Sequence, residues 1–110
     1  MSDEHTARIR ALNDRLRRFH IGGRTLLTPG ISARSPAFIL QVIGAIRVFD
    51  DFSEANDPYG EHDFGAIEVD GTQVFFKIDY YNLDLNGGCE NPADEAVCAR
   101  VLTIMLAEEY

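Results

Sequence analysis

One pair of residues, Asp70-Gly71, constrains the fold more than any other feature, because it stands between two runs of strand-forming residues. Before it lies Ala66-Ile67-Glu68-Val69, and after it Thr72-Gln73-Val74-Phe75-Phe76-Lys77-Ile78-Asp79-Tyr80-Tyr81. A two-residue type I′ turn needs φ > 0 at both central positions, and Asp-Gly supplies that. The loop length then fixes the register, since paired positions sum to a constant. Val69 faces Thr72, Ile67 faces Val74, Ala66 faces Phe75 and Phe64 faces Lys77; if pairing runs further, His62 faces Asp79. Alternation puts Val69, Ile67, Val74, Phe76, Ile78 and Tyr80 on a core face. The opposite face takes Phe64, Ala66, Glu68, Gln73, Phe75, Lys77, Asp79, Tyr81 and His62.

Three further segments read as helices. Residues 3–19 carry Ile9, Leu12, Leu16 and Phe19 at helical spacing, with Ser2 as a cap and Gly22-Gly23 as a stop. Ser35-Pro36 is a cap followed by proline at the first helical position, opening a helix to about residue 49. Its apolar positions (Phe38, Val42, Ala45 and Phe49, widened by Ile39, Leu40, Ile43 and Ile46) imply burial on more than one side. Gly44 within it suggests close packing, and residues 46–52 also fit a strand. Asn91-Pro92 repeats the cap-plus-proline start, with Val97, Val101, Ile104 and Met105 forming a stripe, so the spacing predicts a last helix over 93–108. Residues 24–28 form a short strand candidate, ended by Thr28-Pro29-Gly30, and 31–34 read as loop. The order is α-β-α-β-β-α. This is an α+β fold in which a small antiparallel sheet, the central hairpin plus a third short strand, packs against two or three helices.

The 110 residues suit one domain spanning 1–110. There is no apolar run of membrane-spanning length and no basic-plus-apolar leader pattern, so the expected setting is cytoplasmic, with no membrane partner. Cys89 and Cys98 are too few for a disulfide framework and match no zinc spacing, so both are expected to be reduced thiols. Charge is unevenly spread along a chain whose formal net charge is −8. Residues 1–34 hold seven Arg against three acids, whereas residues 35–110 hold three basic residues against fifteen acids, so the halves carry +4 and −12. A −12 segment repels phosphates and attracts basic surfaces, which argues against direct nucleic-acid binding and for a protein partner with a basic surface. The N-terminal arginines resemble a nucleic-acid arm, but a helix face that is solvated or docked on the acidic body accounts for them too.

The run Asn56-Asp57-Pro58-Tyr59-Gly60-Glu61-His62-Asp63-Phe64-Gly65, the run Lys77-Ile78-Asp79-Tyr80-Tyr81, the stretch from Gly23 to Gly30 and the C-terminal stretch from Arg100 to Tyr110 resemble a family of short bacterial proteins, a domain of unknown function. The resemblance covers roughly residues 10–110. It implies no activity; it implies members carried on plasmids and other mobile elements, a context that favours a role in conflict between mobile DNA and host defence.

Two functional classes follow. In the first, Asp50, Asp51, Glu54, Asp57, Tyr59, Glu61 and Asp63 form a partner-binding surface. The protein is then a small acidic binding module without cofactor, possessing the charge to inhibit a nucleic-acid-handling complex of anti-CRISPR or anti-restriction type, as a monomer or a dimer. In the second, Glu61, His62, Asp63 and Asp79 hold manganese or magnesium, and His62, Asp79 and Lys77 serve a hydrolase or nuclease. The plainer account of these polar residues is a turn whose side chains satisfy its own backbone. No H-E-x-x-H, G-x-S-x-G, P-loop or C-x-x-C motif supports an enzyme, so the binding module is the expectation carried forward.

Overall fold

The computed structural model describes residues 4–110, so the expected Ser2 cap and Asp3 lie outside the described residues. Among these, the elements are α1 (Glu4–Phe19), β1 (Arg24–Leu27), α2 (Pro29–Ser32), α3 (Pro36–Arg47), β2 (Phe64–Val69), β3 (Thr72–Tyr81) and β4 (Ala99–Leu106), closed by a 3-10 turn over Ala107–Glu109. The four strands form one mixed sheet in the order β1-β4-β3-β2, with β1 parallel to β4 and the other neighbours antiparallel. The class is α+β, as the sequence predicts.

The hairpin has the expected register from Phe64↔Lys77 to Val69↔Thr72. Asp70 and Gly71 take φ of 51° and 75°, as the turn requires. Val69, Val74, Phe76 and Ile78 are buried, and Ile67 and Tyr80 pack against them. Gly65 pairs with Phe76, and a Cβ at Gly65 would collide with the rings of Phe76 and Phe49. Absence of a side chain at this one position lets the Phe76 ring lie across the strand.

The last long element is a strand, not the helix expected over 93–108. Residues 91–97 form turns, in which Asn91 Oδ1 accepts from Ala93 N (3.1 Å) and the Asn91 carbonyl from Asp94 N (3.0 Å). Beyond them, Val101, Leu102, Ile104, Met105 and Leu106 are all buried. β4 lies between β1 and β3, and residues on both of its faces are buried, so its apolar residues run nearly unbroken. Such a run has members at helical spacing by default, and periodicity alone does not separate a buried strand from a helix. Leu102, Ile104 and Leu106 face the helices. Val101 and Met105 face the other way, where Met105 pairs with Phe75 beside a cluster in which Tyr110 meets Phe64 and Phe75 edge to face.

Cys89 and Cys98 are joined in a disulfide, which corrects the expectation of two reduced thiols. The turns of 82–98 double back, bringing the two Cα atoms to 5.2 Å, within bridging distance. Cys98 is buried immediately before β4.

α3 begins as expected, with the Ser35 side chain accepting from Phe38 N and Pro36 opening the helix. It ends at Arg47, and residues 49–52 continue as irregular chain rather than as a strand. Phe38, Val42 and Ile46 enter the core, while Leu40 is 70% exposed and no atom lies within 4 Å of a Cβ built at Gly44. The wide apolar stripe is thus buried on one side only, and Gly44 marks no close contact. Residues expected as loop after Gly30 include the end of α2, the short helix that sets Ile31 fully inside the core.

Candidate functional site

α1 packs against α3 and β4, and its buried face explains what positions the long loop of residues 48–63. Ile9, Leu12 and Leu16 are buried there as expected, whereas Phe19 is 59% exposed. The same face buries two polar residues, Asn13 and Arg17. Each is placed to bind backbone or side-chain groups of the loop and of the helix end that precedes it.

Arg17 is almost fully enclosed and gathers the C-terminus of α3. Its Nη1 donates to the carbonyls of Ile46 (2.9 Å) and Phe49 (2.8 Å), and its Nη2 donates to Asp14 Oδ1 (2.9 Å). A cation at this end of a helix is favoured by the unpaired carbonyls and the dipole. Asp14 Oδ1 also lies 2.9 Å from His62 Nδ1. The His62 ring stacks on Phe52, with centroids 3.8 Å apart and planes at 5°, and Phe52 meets Phe49 edge to face.

Asn13 builds the adjoining network. Its Nδ2 donates to the Glu61 carbonyl (3.0 Å) and to Tyr80 Oη (2.7 Å), while Tyr80 donates its hydroxyl proton to Glu61 Oε1 (2.7 Å). Burial, reinforced by Glu61, pushes the Tyr80 phenol well above its ordinary range, so it stays protonated as the donor. Arg100 Nε donates to Asn13 Oδ1 (2.7 Å), and Nη2 to the Pro92 carbonyl. Arg100 lies over the Tyr80 ring, with burial lowering its pKa.

The loop also ties itself. Asn56 Oδ1 accepts from Ser53 N (2.8 Å), and Asn56 Nδ2 donates to the Asp51 carbonyl (2.7 Å). Asp57, only 8% exposed, accepts through Oδ1 from the amides of Glu61 and His62, both at 3.2 Å. Arg10 Nη1 holds the Gly60 carbonyl (2.9 Å). His62 has a φ of 56°, a left-handed conformation that is uncommon for a residue with a side chain. Asp57 and Asp14 together hold it there, by its amide and by its ring.

This geometry separates the residues that the sequence grouped. The β2–β3 ladder ends at Phe64↔Lys77, with one further bond from Ile78 N to the Asp63 carbonyl (2.8 Å). The left-handed turn at His62 takes the chain out of the ladder and sends the ring toward α1. Asp79 instead pairs across β4 with Val101 and forms an ion pair with Lys77 (2.8 Å), whose pKa that bond raises. The expected His62–Asp79 opposition is therefore replaced by His62–Asp14 and Lys77–Asp79. Among the described residues no group of three or more His, Cys, Asp or Glu side chains is arranged to hold a metal ion.

The seven partner-binding candidates divide as well. Asp50, Asp51 and Glu54 are exposed, and Tyr59 is 80% exposed. Asp57 and Glu61 turn inward to the contacts just described. Asp63 is half-buried; burial first, and then Glu61, raise its pKa. Sequence reasoning missed Asn13, Asp14, Arg17, Phe52 and Arg100. A signal for two of them was present: Asn13 and Arg17 occupy positions of the α1 apolar stripe, where a polar side chain has to find partners inside. Most basic residues of α1 are engaged within the molecule, Arg15 with Glu95 (2.6 Å) among them, so much of this helix is docked on the acidic body.

The family model described as Protein of unknown function (DUF3768) matches residues 27–109, a span that takes in α3, the loop and three of the four strands. No curated protein and no solved structure matches the chain. No helix among the described residues is long and apolar enough to cross a membrane.

Proposed function

The chain belongs to the DUF3768 family, and from the loop that it carries we propose that it is an acidic protein-binding module whose partner presents a basic surface. The observation that carries this reading is the division of labour in residues 48–63. A structureless loop of this length in a small domain is uncommon, and where it occurs it is usually functional or disordered. This one is tied to itself by Asn56 and held from inside by Asp57, Glu61 and His62, while Asp50, Asp51, Glu54 and Tyr59 face solvent. A pre-ordered loop loses little conformational entropy on binding. Three exposed carboxylates and an exposed tyrosine on one loop suit a cationic surface, with the ring as an anchor and the charges as steering groups.

In its finer form, the reading is that the protein works in the cytoplasm and blocks a nucleic-acid-handling defence complex of anti-CRISPR or anti-restriction type, carried by mobile DNA. Small size and a −12 segment support that form, because a row of carboxylates competes for the same basic groove as a phosphate backbone.

The test uses the triple variant Asp50→Asn, Asp51→Asn, Glu54→Gln and, separately, Tyr59→Ala. Binding to a partner isolated from bacterial lysate is followed by calorimetry from low to high salt. Expected is a partner with a basic surface, an affinity that falls steeply with salt, at least tenfold weaker binding by the triple variant, and displacement by duplex DNA. A salt-independent affinity shared by the wild type and the triple variant removes the reading.

A further inference from the structure

α1, the end of α3 and the start of the loop enclose a cleft of ≈ 600 Å³, within the range of small-molecule sites. Its chemistry differs from the rest of the molecule. In a chain of net charge −8, the cleft is lined by Arg17, Arg18 and Arg47 with His62, against two acids, Asp14 and Asp50. Asp14 is already engaged by Arg17 and His62. Asp50 is thus the one lining acid left to face Arg18 and Arg47.

Those two guanidinium groups are the notable feature. Among the described residues, neither Arg18 nor Arg47 forms an ion pair with a carboxylate. Arg47 Nε donates to the Arg18 carbonyl (3.2 Å), which ties the ends of α1 and α3 together and sets both side chains beside one opening. The carbonyls at the end of α3 would disfavour an anion nearby, but the buried Arg17 already occupies those of Ile46 and Phe49. The rest of the lining is apolar. Phe49 and Phe52 line it from inside, and Phe19 and Val48, 59% and 74% exposed, flank it. The Phe52 ring already carries His62 stacked on it and the Arg17 guanidinium over it, so Phe52 and Phe49 serve as an apolar wall. Two arginine forks without a carboxylate partner beside that wall make a two-part site, because a fork matches the oxygens of a carboxylate or phosphate and the wall bounds a flat apolar body.

We propose that this cleft binds a small molecule that joins an oxyanion to a planar ring, with Arg18 and Arg47 holding the oxyanion and Phe49 and Phe52 bounding the space for the ring. Carboxylate and phosphate share this chemistry, and the probes below separate them. The proposal does not depend on the acidic loop's binding a protein, although Asp50 and Phe52 belong to both regions.

The experiment titrates the whole chain by two-dimensional NMR with adenosine monophosphate, indole-3-carboxylate, adenosine and inorganic phosphate. At least one of the two ring-bearing anions is expected to shift amides at residues 17–19 and 47–52, with a dissociation constant of about 1 mM or tighter. Whichever of them binds more tightly identifies the oxyanion. Neutral adenosine and bare phosphate are each expected to bind at least tenfold more weakly. Arg18→Gln alters an exposed side chain whose guanidinium contacts only the Phe19 ring among described contacts, so the fold is expected to survive; its binding should fall at least tenfold, and that of the Arg18→Gln, Arg47→Gln pair further. Arg18→Lys should retain part of it. Absence of shifts with both ring-bearing anions, equal binding of adenosine, equal binding of phosphate, or unchanged binding by the Arg18→Gln variant would each overturn the proposal.

Discussion

In the β2–β3 hairpin, the direction of each side chain follows from strand alternation and from the two-residue turn at Asp70-Gly71. In residues 48–63, just before it, the direction of each side chain follows from the backbone group or charge that it binds. Val74, Phe76 and Ile78 are buried because every second residue must be, while Asp57 is buried because the amides of Glu61 and His62 need an acceptor. The two regions meet at Asp63 and Phe64. An apolar face can be stabilised by many neighbours in parallel, so its loss is measured in volume. A polar loop hangs on single bonds, so its loss is measured one acceptor at a time.

The hairpin should break hardest. Phe76 is fully buried, packs edge to face with Phe49 at 5.3 Å, and lies across from Gly65. Phe76→Ala removes that ring and leaves a cavity, at a cost of about 3–5 kcal/mol. Urea unfolding is the measurement, and a loss below 1 kcal/mol would mean that Phe76 is not a centre of the core.

Asp57 should break the loop and spare the sheet. Asp57→Ala leaves two partly buried amides without their acceptor, which costs about 1–3 kcal/mol, less than the Phe76 change. Asp57→Asn keeps one carbonyl oxygen and should fall between the alanine variant and the wild type. Amide hydrogen exchange gives the sharper comparison. Protection of the Glu61 and His62 amides should drop in Asp57→Ala while that of Val74 to Ile78 falls only with global stability. A uniform drop would show that loop and hairpin open together.

The same contrast explains what was legible in the sequence. The hairpin register, its core face and the Ser35-Pro36 helix start rest on rules that act between near neighbours, and all three hold. β4 did not follow, because its helical stripe is an accident of an unbroken apolar run, and its strand identity comes from lying between β1 and β3, which are remote in sequence. The disulfide likewise depends on turns that bring Cys89 back to Cys98. In the candidate site, the loop's polar residues stood out by composition, but their directions did not. His62 turns to Asp14, 48 residues away, and Tyr80 to Asn13, 67 away, contacts that no local spacing specifies. The Arg-lined cleft was invisible for the same reason: Arg18 and Arg47 share an opening only after α1 and α3 have packed.

The smallest effect belongs to the junction, and it tests sign rather than size. Asp63 offers its carbonyl to Ile78 N as the last rung of the hairpin, while its half-buried carboxylate has Glu61, Asp57 and Asp79 near enough to act on it. Burial and then Glu61 raise its pKa in the folded state above the unfolded value. The folded protein therefore binds the proton more tightly than the unfolded chain. By linkage, this group's contribution is most favourable below the unfolded pKa and declines as pH rises through the interval up to the folded value. Glu109, whose pKa is lowered chiefly by the Thr28 hydroxyl, contributes with the opposite slope, so the pH profile of the wild type alone is ambiguous. Asp63→Asn removes one slope and leaves the other. The stability difference, variant minus wild type, should grow in the variant's favour as pH rises through the upper carboxylate range and then stay level to neutrality. Because the group is half-exposed, solvent screening should keep the plateau at or below about 1 kcal/mol. A difference that is flat with pH, or that falls, would mean that neither burial nor the neighbouring carboxylates raise the Asp63 pKa, and the junction would then belong to the hairpin in its energetics as well as in its last hydrogen bond.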